Sequence, residues 1–347
     1  MPHAEGERIL TICNACRYCE GFCAVFPAME KRLTFSKAGL NYLANVCHNC
    51  QECFYACQYA PPHEFAVNVP KTLAQIRVAS YKEYAWPQWL RPVASALAWL
   101  SVAASLAGAW MPLQTTPGDF YDVISHTKMV AFFLTLAIVL TIALVMGMKN
   151  FWKDSGAPGA TIQTVKAALK DILTLRYLQS SGGGCAYPEE QQSDARRLFH
   201  HATFYGFLLC LASTTVAAAY HYLLNKTAPY PYMSLPVLLG TAGGLGLIAG
   251  TLGLGVLKLR QDERTRNDAQ KGLDWEFLAL LFLTSVTGLL LLFLRERDSM
   301  PALLQIHLGV VTALFLTMPY GKFVHGLYRS LALLRYSLES TSVTRQE

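Results

Sequence analysis

Eight of the ten cysteines fall between Cys13 and Cys57, in two runs of one form: Cys13-x2-Cys16-x2-Cys19-x3-Cys23 and Cys47-x2-Cys50-x2-Cys53-x3-Cys57. Every cysteine of the second run lies 34 residues after its counterpart, and Pro27 and Pro61 keep the same offset. Three thiolates spaced this way can wrap one corner of an iron–sulfur cubane, and the fourth cysteine of such a run ordinarily ligates the other cluster of a two-cluster protein. The pattern predicts one [4Fe-4S] cluster on Cys13, Cys16, Cys19 and Cys57 and a second on Cys47, Cys50, Cys53 and Cys23. Structural zinc would call for pairs of ligands rather than two runs of four.

The histidines suggest a second chemistry. His307 and His325 are 18 residues apart, about five turns of one helix, which would set both on one face roughly 27 Å apart along the axis. Low-spin haem b with two axial imidazoles suits such a pair, and intramembrane histidines are costly unless they work. His200 and His221 are 21 residues apart, about 60° out of phase on a helix, and share a face approximately. Two bis-histidine haem sites are expected, each bridging the third and sixth apolar spans: His200 with His325 on the inner side, His221 with His307 on the outer. His201 competes with His200, and His126 could replace His221. His48 and His63 are expected to tune clusters or cap turns.

These groups need a scaffold, and composition indicates which. Of 347 residues, 53% are hydrophobic and 15% charged, against about a quarter charged in an average soluble domain. That excludes a purely soluble enzyme. Six segments reach the roughly 20 apolar residues that a bilayer core needs: 93–111, 129–148, 200–224, 235–257, 277–294 and 302–321. Basic residues crowd the connections after the second span (Lys149 to Arg197) and the fourth (Lys258 to Lys271), while the opposite connections hold few, among them Lys226, Arg295 and Arg297. By the positive-inside rule the basic side is cytoplasmic, and so are the head and the tail.

The expected fold is all-α: a two-cluster iron–sulfur head over 1–85, then a six-span haem b domain over 86–347 in the cytoplasmic membrane. The first 88 residues contain no apolar run of export-signal length, and a reducing cytoplasm favours metal over disulfides for such cysteines. The net charge of +6 lies at span ends, which points to membrane lipid and not to nucleic acid. The connection 149–199 contains an amphipathic stretch, 162–178, then three glycines, 182–184, that would break any helix. It could pack on the head, with Cys185 either a redox group or a small filler. Gly240, Gly243, Gly244 and Gly246 lie within an apolar span, where small residues let helices approach rather than bind a dinucleotide.

The linker 26–46, with Met29, Leu33, Leu40 and Leu43, suits helix better than a β-hairpin, so the head resembles the α-helical ferredoxins of succinate dehydrogenase iron–sulfur subunits and heterodisulfide reductases. Leu175-Arg-Tyr-Leu178, Gly182-Gly-Gly-Cys185-Ala-Tyr-Pro188, the run from Arg196 to Phe207, Ala228-Pro-Tyr-Pro231 and Met318-Pro-Tyr-Gly-Lys-Phe-Val-His-Gly326 resemble the tricarballylate utilisation protein B family, also described as citrate utilisation protein B. The membrane part is similar to the nitrate reductase gamma subunit. The resemblance implies a membrane partner of a soluble FAD-containing tricarballylate dehydrogenase, reoxidising its flavin and passing electrons to quinone. Two other classes compete: a six-span tricarboxylate carrier, which would want ionisable residues at mid-membrane, and a redox sensor, which would need no haem.

Overall fold

The computed structural model describes residues 2–111, 118–156, 161–180 and 182–343; residues 157–160 of the long connection and Ser181 before the glycines lie outside them. The head is built from α1 (Pro2–Cys16), α2 (Val25–Glu30), α3 (Lys37–Val46), α4 (Glu52–Tyr55) and α5 (Val69–Tyr84). The remainder comprises α6 (Arg91–Gly108), α7 (Phe120–Val123), α8 (His126–Ser155), α9 (Ile162–Leu173), α10 (Ala195–Leu224), α11 (Leu235–Leu259), α12 (Asp268–Phe293), α13 (Met300–Thr317) and α14 (Val324–Val343). Among the described residues no strand forms, and the one β contact is the bridge between Cys185 and Ser193. The expected helical linker exists as α2 and α3, the latter started by Ser36, whose hydroxyl accepts from Gly39 N at 3.1 Å; such a cap contributes about 1 kcal/mol.

Six helices, α6 with its preceding turn, α8, α10, α11, α12 and α13, are long and apolar enough to cross a membrane. Their outward faces carry Trp99, Leu100, Phe132, Ile138, Val139, Leu211 and Leu252, all exposed, as a bundle surrounded by lipid requires. Close helix approach comes from small residues, as the glycine spacing predicts. A Cβ at Gly206 would lie 2.8 Å from Leu247 N, and one at Gly243 would meet Gly206 O at 2.8 Å, so α10 and α11 touch backbone to backbone.

One difference from the sequence reading matters: helix does not run through 302–321 and on to His325. α13 stops at Thr317, the chain turns through 318–323, and α14 starts at Val324. Pro319 explains this: it has no N–H to donate, and its ring would clash with the carbonyl one turn back. Apolar composition continues across the turn, so hydropathy did not register it. His307 and His325 therefore sit on different helices, and the common-face argument for them fails.

The head packs directly on the helices that follow it. α8, 30 residues long, spans about 45 Å, more than the ~30 Å of a bilayer core, and its end delivers Phe151 to the head. One core joins Ile9, Leu10, Phe26, Leu40, Leu43 and Ile76 of the head to Phe151 and to Val324, Tyr328 and Ala332 of α14. The rings of Phe151 and Tyr328 stack at 5.4 Å and 12°, a contact of about 0.5–1.5 kcal/mol beyond its buried area. Arg32 of the head pairs with Glu339 of α14 at 2.5 Å, and Tyr84 hydrogen-bonds Asp154 of α8.

Candidate metal centres

The two cysteine runs fold alike. α1 ends on Cys16 and α3 stops just before Cys47, so each run starts at a helix C-terminus. Arg17 (φ 56°) and Gln51 (φ 70°) are both left-handed, and they occupy the same place in the two runs, immediately after the second cysteine. Non-glycine residues adopt this conformation at a cost, and its repetition reverses the chain so that the next cysteine faces back.

The cysteines gather around two cavities. One, of about 420 Å³ with its mouth, is lined by Cys13, Cys16, Cys19, Cys53 and Cys57. The other, about 340 Å³, is lined by Cys23, Cys47, Cys50 and Cys53. Phe26, Cys53 and Val69 line both, so they are neighbours with a shared wall. Among the described residues no three His, Cys, Asp or Glu groups close on a single ion. A four-iron cubane needs a wider cage than one ion, and this donor set suits it. Burial pushes the Cys13 and Cys19 thiols up to about 12, so without metal they are protonated, and iron uptake must expel protons.

The second cavity holds the more buried cysteines, Cys47 and Cys50. Asn49 N donates to Cys47 Sγ at 3.4 Å, and Ser180 Oγ lies 3.7 Å from Cys50 Sγ. The segment after the glycines closes over it: Cys185 is fully buried and clusters with Cys50, Leu178, Tyr187 and Leu257, and Gln192 donates to Glu52 at 2.9 Å. The Cys185 thiol donates to Leu178 O at 2.9 Å. The long connection thus packs on the head, with Cys185 as part of its seat. His63 caps a turn, accepting from Phe65 N at 3.1 Å. His48 is buried beneath Tyr177, ring centroids 5.7 Å apart, and burial with nearby Arg329, Arg196 and Arg77 holds its pKa well below normal.

On the head side of the bundle His200 of α10 meets His325 of α14, ring centroids 6.1 Å apart. Two imidazoles facing one iron across metal–nitrogen bonds of about 2 Å place their centroids ~6 Å apart. His325 Nδ1 lies 2.6 Å from Lys322 O, so that nitrogen donates and Nε2 keeps its lone pair, as a ligand anchored by a backbone carbonyl should. Burial, then the charges of Lys322 and Arg329, hold this imidazole neutral, well below its ordinary pKa. His200 Nδ1 is buried without a partner. His201 instead turns outward to Thr174 O at 3.2 Å. The residues present fit an axial haem pair here.

Beside it, Asp274 is shared by two ammonium groups, Lys258 at 2.5 Å and Lys322 at 2.8 Å. One buried positive charge is left over. An ionic site of this kind persists only if further partners satisfy it, and Gln270, held by Arg77 at 3.3 Å, supplies one at 3.3 Å from Asp274.

The far side is arranged differently. His221, at the end of α10, stacks on His126, at the start of α8, with centroids 4.0 Å apart and planes 27° from parallel. His307 lies two turns into α13, Nδ1 at 2.9 Å from Thr287 Oγ1, its ring over Gly288, where a Cβ would come within 3.0 Å. Among the described residues no ring contact joins His221 to His307. Face-to-face rings at 4.0 Å leave no space for an iron between them, so the far-side residues as arranged do not fit a haem.

The family description "Citrate utilization protein B" matches residues 93–345, and its "Fer4-like domain" matches residues 6–83. The chain belongs to the citrate utilization protein B family. A relative of that name from Escherichia coli is 48% identical over 355 residues, covering 97% of this chain and 93% of its own length. No solved structure matches. An iron–sulfur-like N-terminal domain followed by six helices fit to span a membrane is thus the family's layout in this chain.

The sequence reading did not find Arg196, Arg329, Ser180, Lys258 or Lys322. Arg196 and Arg329 carried a signal, since each stands four residues from a candidate ligand histidine.

Proposed function

We propose that this protein is the membrane electron-transfer component of a tricarboxylate-utilising system, carrying electrons from a reduced FAD-containing dehydrogenase of the tricarballylate type to the quinone pool. The observation that carries this reading is the seating of a four-cysteine cavity directly on the two helices that present His200 and His325. Two [4Fe-4S] clusters and haem b, when bound, supply the one-electron steps between a two-electron flavin and quinone. In the proposed assignment Cys13, Cys16, Cys19 and Cys57 hold one cluster, Cys47, Cys50, Cys53 and Cys23 the other, and His200 and His325 the haem.

The chain's own residues do the rest. Lys322 O orients His325, Lys258 and Lys322 offer one surplus cation to the haem's carboxylates, and Ser180 with Cys185 keeps water from the second cavity. A second haem at His307 would require His221 to leave His126. The crowding of basic residues on the head side supports placing the head in the cytoplasm and the bundle in the cytoplasmic membrane. The carrier alternative gains nothing from the buried ions, because Lys258 ends α11 and Lys322 follows α13, both at the head end rather than mid-membrane.

The test is composition and spectrum of the anaerobically purified full-length protein. Close to eight non-haem irons together with haem b absorption bands is the expected result; zinc in place of iron, or iron without haem, would sink the reading.

A further inference from the structure

Resting on that reading, we infer that Arg196 and Arg329 are positioning residues that fasten the Cys47–Cys50 loop to the two haem-ligand helices and make its cluster the exit of the head. Arg196 is one turn before His200 on α10, and Arg329 one turn after His325 on α14. Residues four apart share a helix face, so each arginine projects from the same side as its histidine. Both reach the same short stretch of the head. Arg196 donates through Nη1 to Asn49 O at 2.7 Å and through Nη2 to His48 O at 2.9 Å. Arg329 donates through Nη2 to Cys47 O at 2.7 Å. Three consecutive carbonyls, 47, 48 and 49, are therefore held from the membrane side, between two cysteines of the second cavity.

The arrangement is rigid. Guanidinium is a planar fork whose donors keep a fixed geometry, and the Arg196 fork is also backed by the Tyr187 ring, 4.6 Å from its centre. Arg77 of α5 gives the Cys47 carbonyl a second donor at 2.7 Å. The first cavity has no such buried clamp: the arginine of its loop, Arg17, donates to Asn14 O at 3.2 Å from an exposed position, and Gln58 Nε2, 3.9 Å from Cys16 Sγ, is exposed as well.

The charges have a redox consequence. A cubane with four thiolates is an anion that gains a further negative charge on reduction, and fixed cations favour that state. Burial alone opposes it, and Arg77, Arg196 and Arg329, none of them exposed, offset that burial cost around this loop, whereas Arg17 beside the first cavity is exposed to solvent and screened, leaving that cluster at the lower potential. Electrons then run downhill inside the head, from the Cys13 cavity to the Cys47 cavity. Entry follows as the exposed side near Cys16 and Tyr18, the latter 68% exposed.

EPR-monitored redox titration of the full-length holoprotein tests this, with Cys57→Ser used to identify the signal of the first cavity. Arg196→Gln and Arg329→Gln should each weaken the electron affinity of the Cys47-cavity cluster about tenfold, a midpoint shift near 59 mV for one electron. The other signal and the haem content should stay as they are. Stopped-flow reduction of the haem through the head should slow at least tenfold in both variants. Arg196→Lys, which keeps charge and loses the fork, should recover most of the midpoint and little of the rate. The inference is overturned if the glutamine variants leave midpoint and rate unchanged, or if they move the first-cavity signal instead. A wild-type protein lacking cluster signals would overturn the reading beneath it, a distinct outcome.

Discussion

The two ends of the bundle each bring histidines together and do so to opposite effect. On the head side His200 and His325 stand 6.1 Å apart with planes 71° from parallel, one of them oriented by a carbonyl. On the far side His126 and His221 stack at 4.0 Å, and His307 is bound to a threonine instead. Proximity is common to both, so proximity does not make a metal site. What separates them is the gap between the rings and the way one of them is held: the head-side rings stand far enough apart for an atom between them, His325 is fixed by a carbonyl, and the two helices are also gripped from the head by Arg196 and Arg329.

The sharpest break in that comparison would come from His325→Ala. Loss of the low-spin bis-histidine haem signal is expected, with His200→Ala giving the same loss, while His126→Ala and His221→Ala retain it. Haem content by the pyridine haemochrome method together with EPR distinguishes the ends; loss of the signal in the far-side variants alone would reverse the assignment. Next in size is cluster loss within the head. Cys57→Ser should damage the cluster of the first cavity and Cys23→Ser that of the second, each leaving the other's EPR signal.

A middling effect is expected at the α10–α11 contact. Gly206→Ala puts a methyl 2.8 Å from Leu247 N, an overpacking worth about 1–3 kcal/mol, visible as a lower midpoint of thermal unfolding in detergent. His307→Ala should leave the head-side haem untouched, and any haem it removes would locate a far-side site that forms only when His221 turns.

The smallest effect concerns how the head rests on the bundle. Asp262, between α11 and α12, accepts from Tyr55 Oη at 3.0 Å, and its hydrogen bond from Arg264 holds its carboxyl below the ordinary range. A carboxylate with a depressed folded-state pKa stabilises above its unfolded value and loses that contribution as pH falls through the folded one. The stability difference between Asp262→Asn and wild type should therefore shrink on acidification below the usual carboxylate range. A difference independent of pH would assign the effect to Tyr55 packing alone.

What could be read from the chain beforehand follows the range of the interaction. The cysteine runs, the spans and the helical linker are local patterns, repeated or periodic, and they appear as elements where expected. His200 and His325 do meet, but from α10 and α14, whereas the spacing argument needs one helix running through Pro319. Proline in a membrane helix can be tolerated when neighbours satisfy the freed groups, so its presence alone did not announce a turn. The stacking of His126 on His221 depends on how α8 and α10 lean toward each other, which no window of residues encodes. Arg196 and Arg329 looked like boundary charges because their partners are backbone carbonyls more than 140 residues away.

α14 holds His325 and Arg329 and completes the head core with Tyr328 and Ala332, yet it leaves the ribosome after all six membrane-length helices. A head made from residues 2–84 must wait, with apolar surface uncovered, until the membrane helices that follow it have been synthesised and inserted. Both the haem seat and the innermost cluster seat are finished in that same closing event, so a protein interrupted before residue 324 would have every cysteine in hand and no completed circuit.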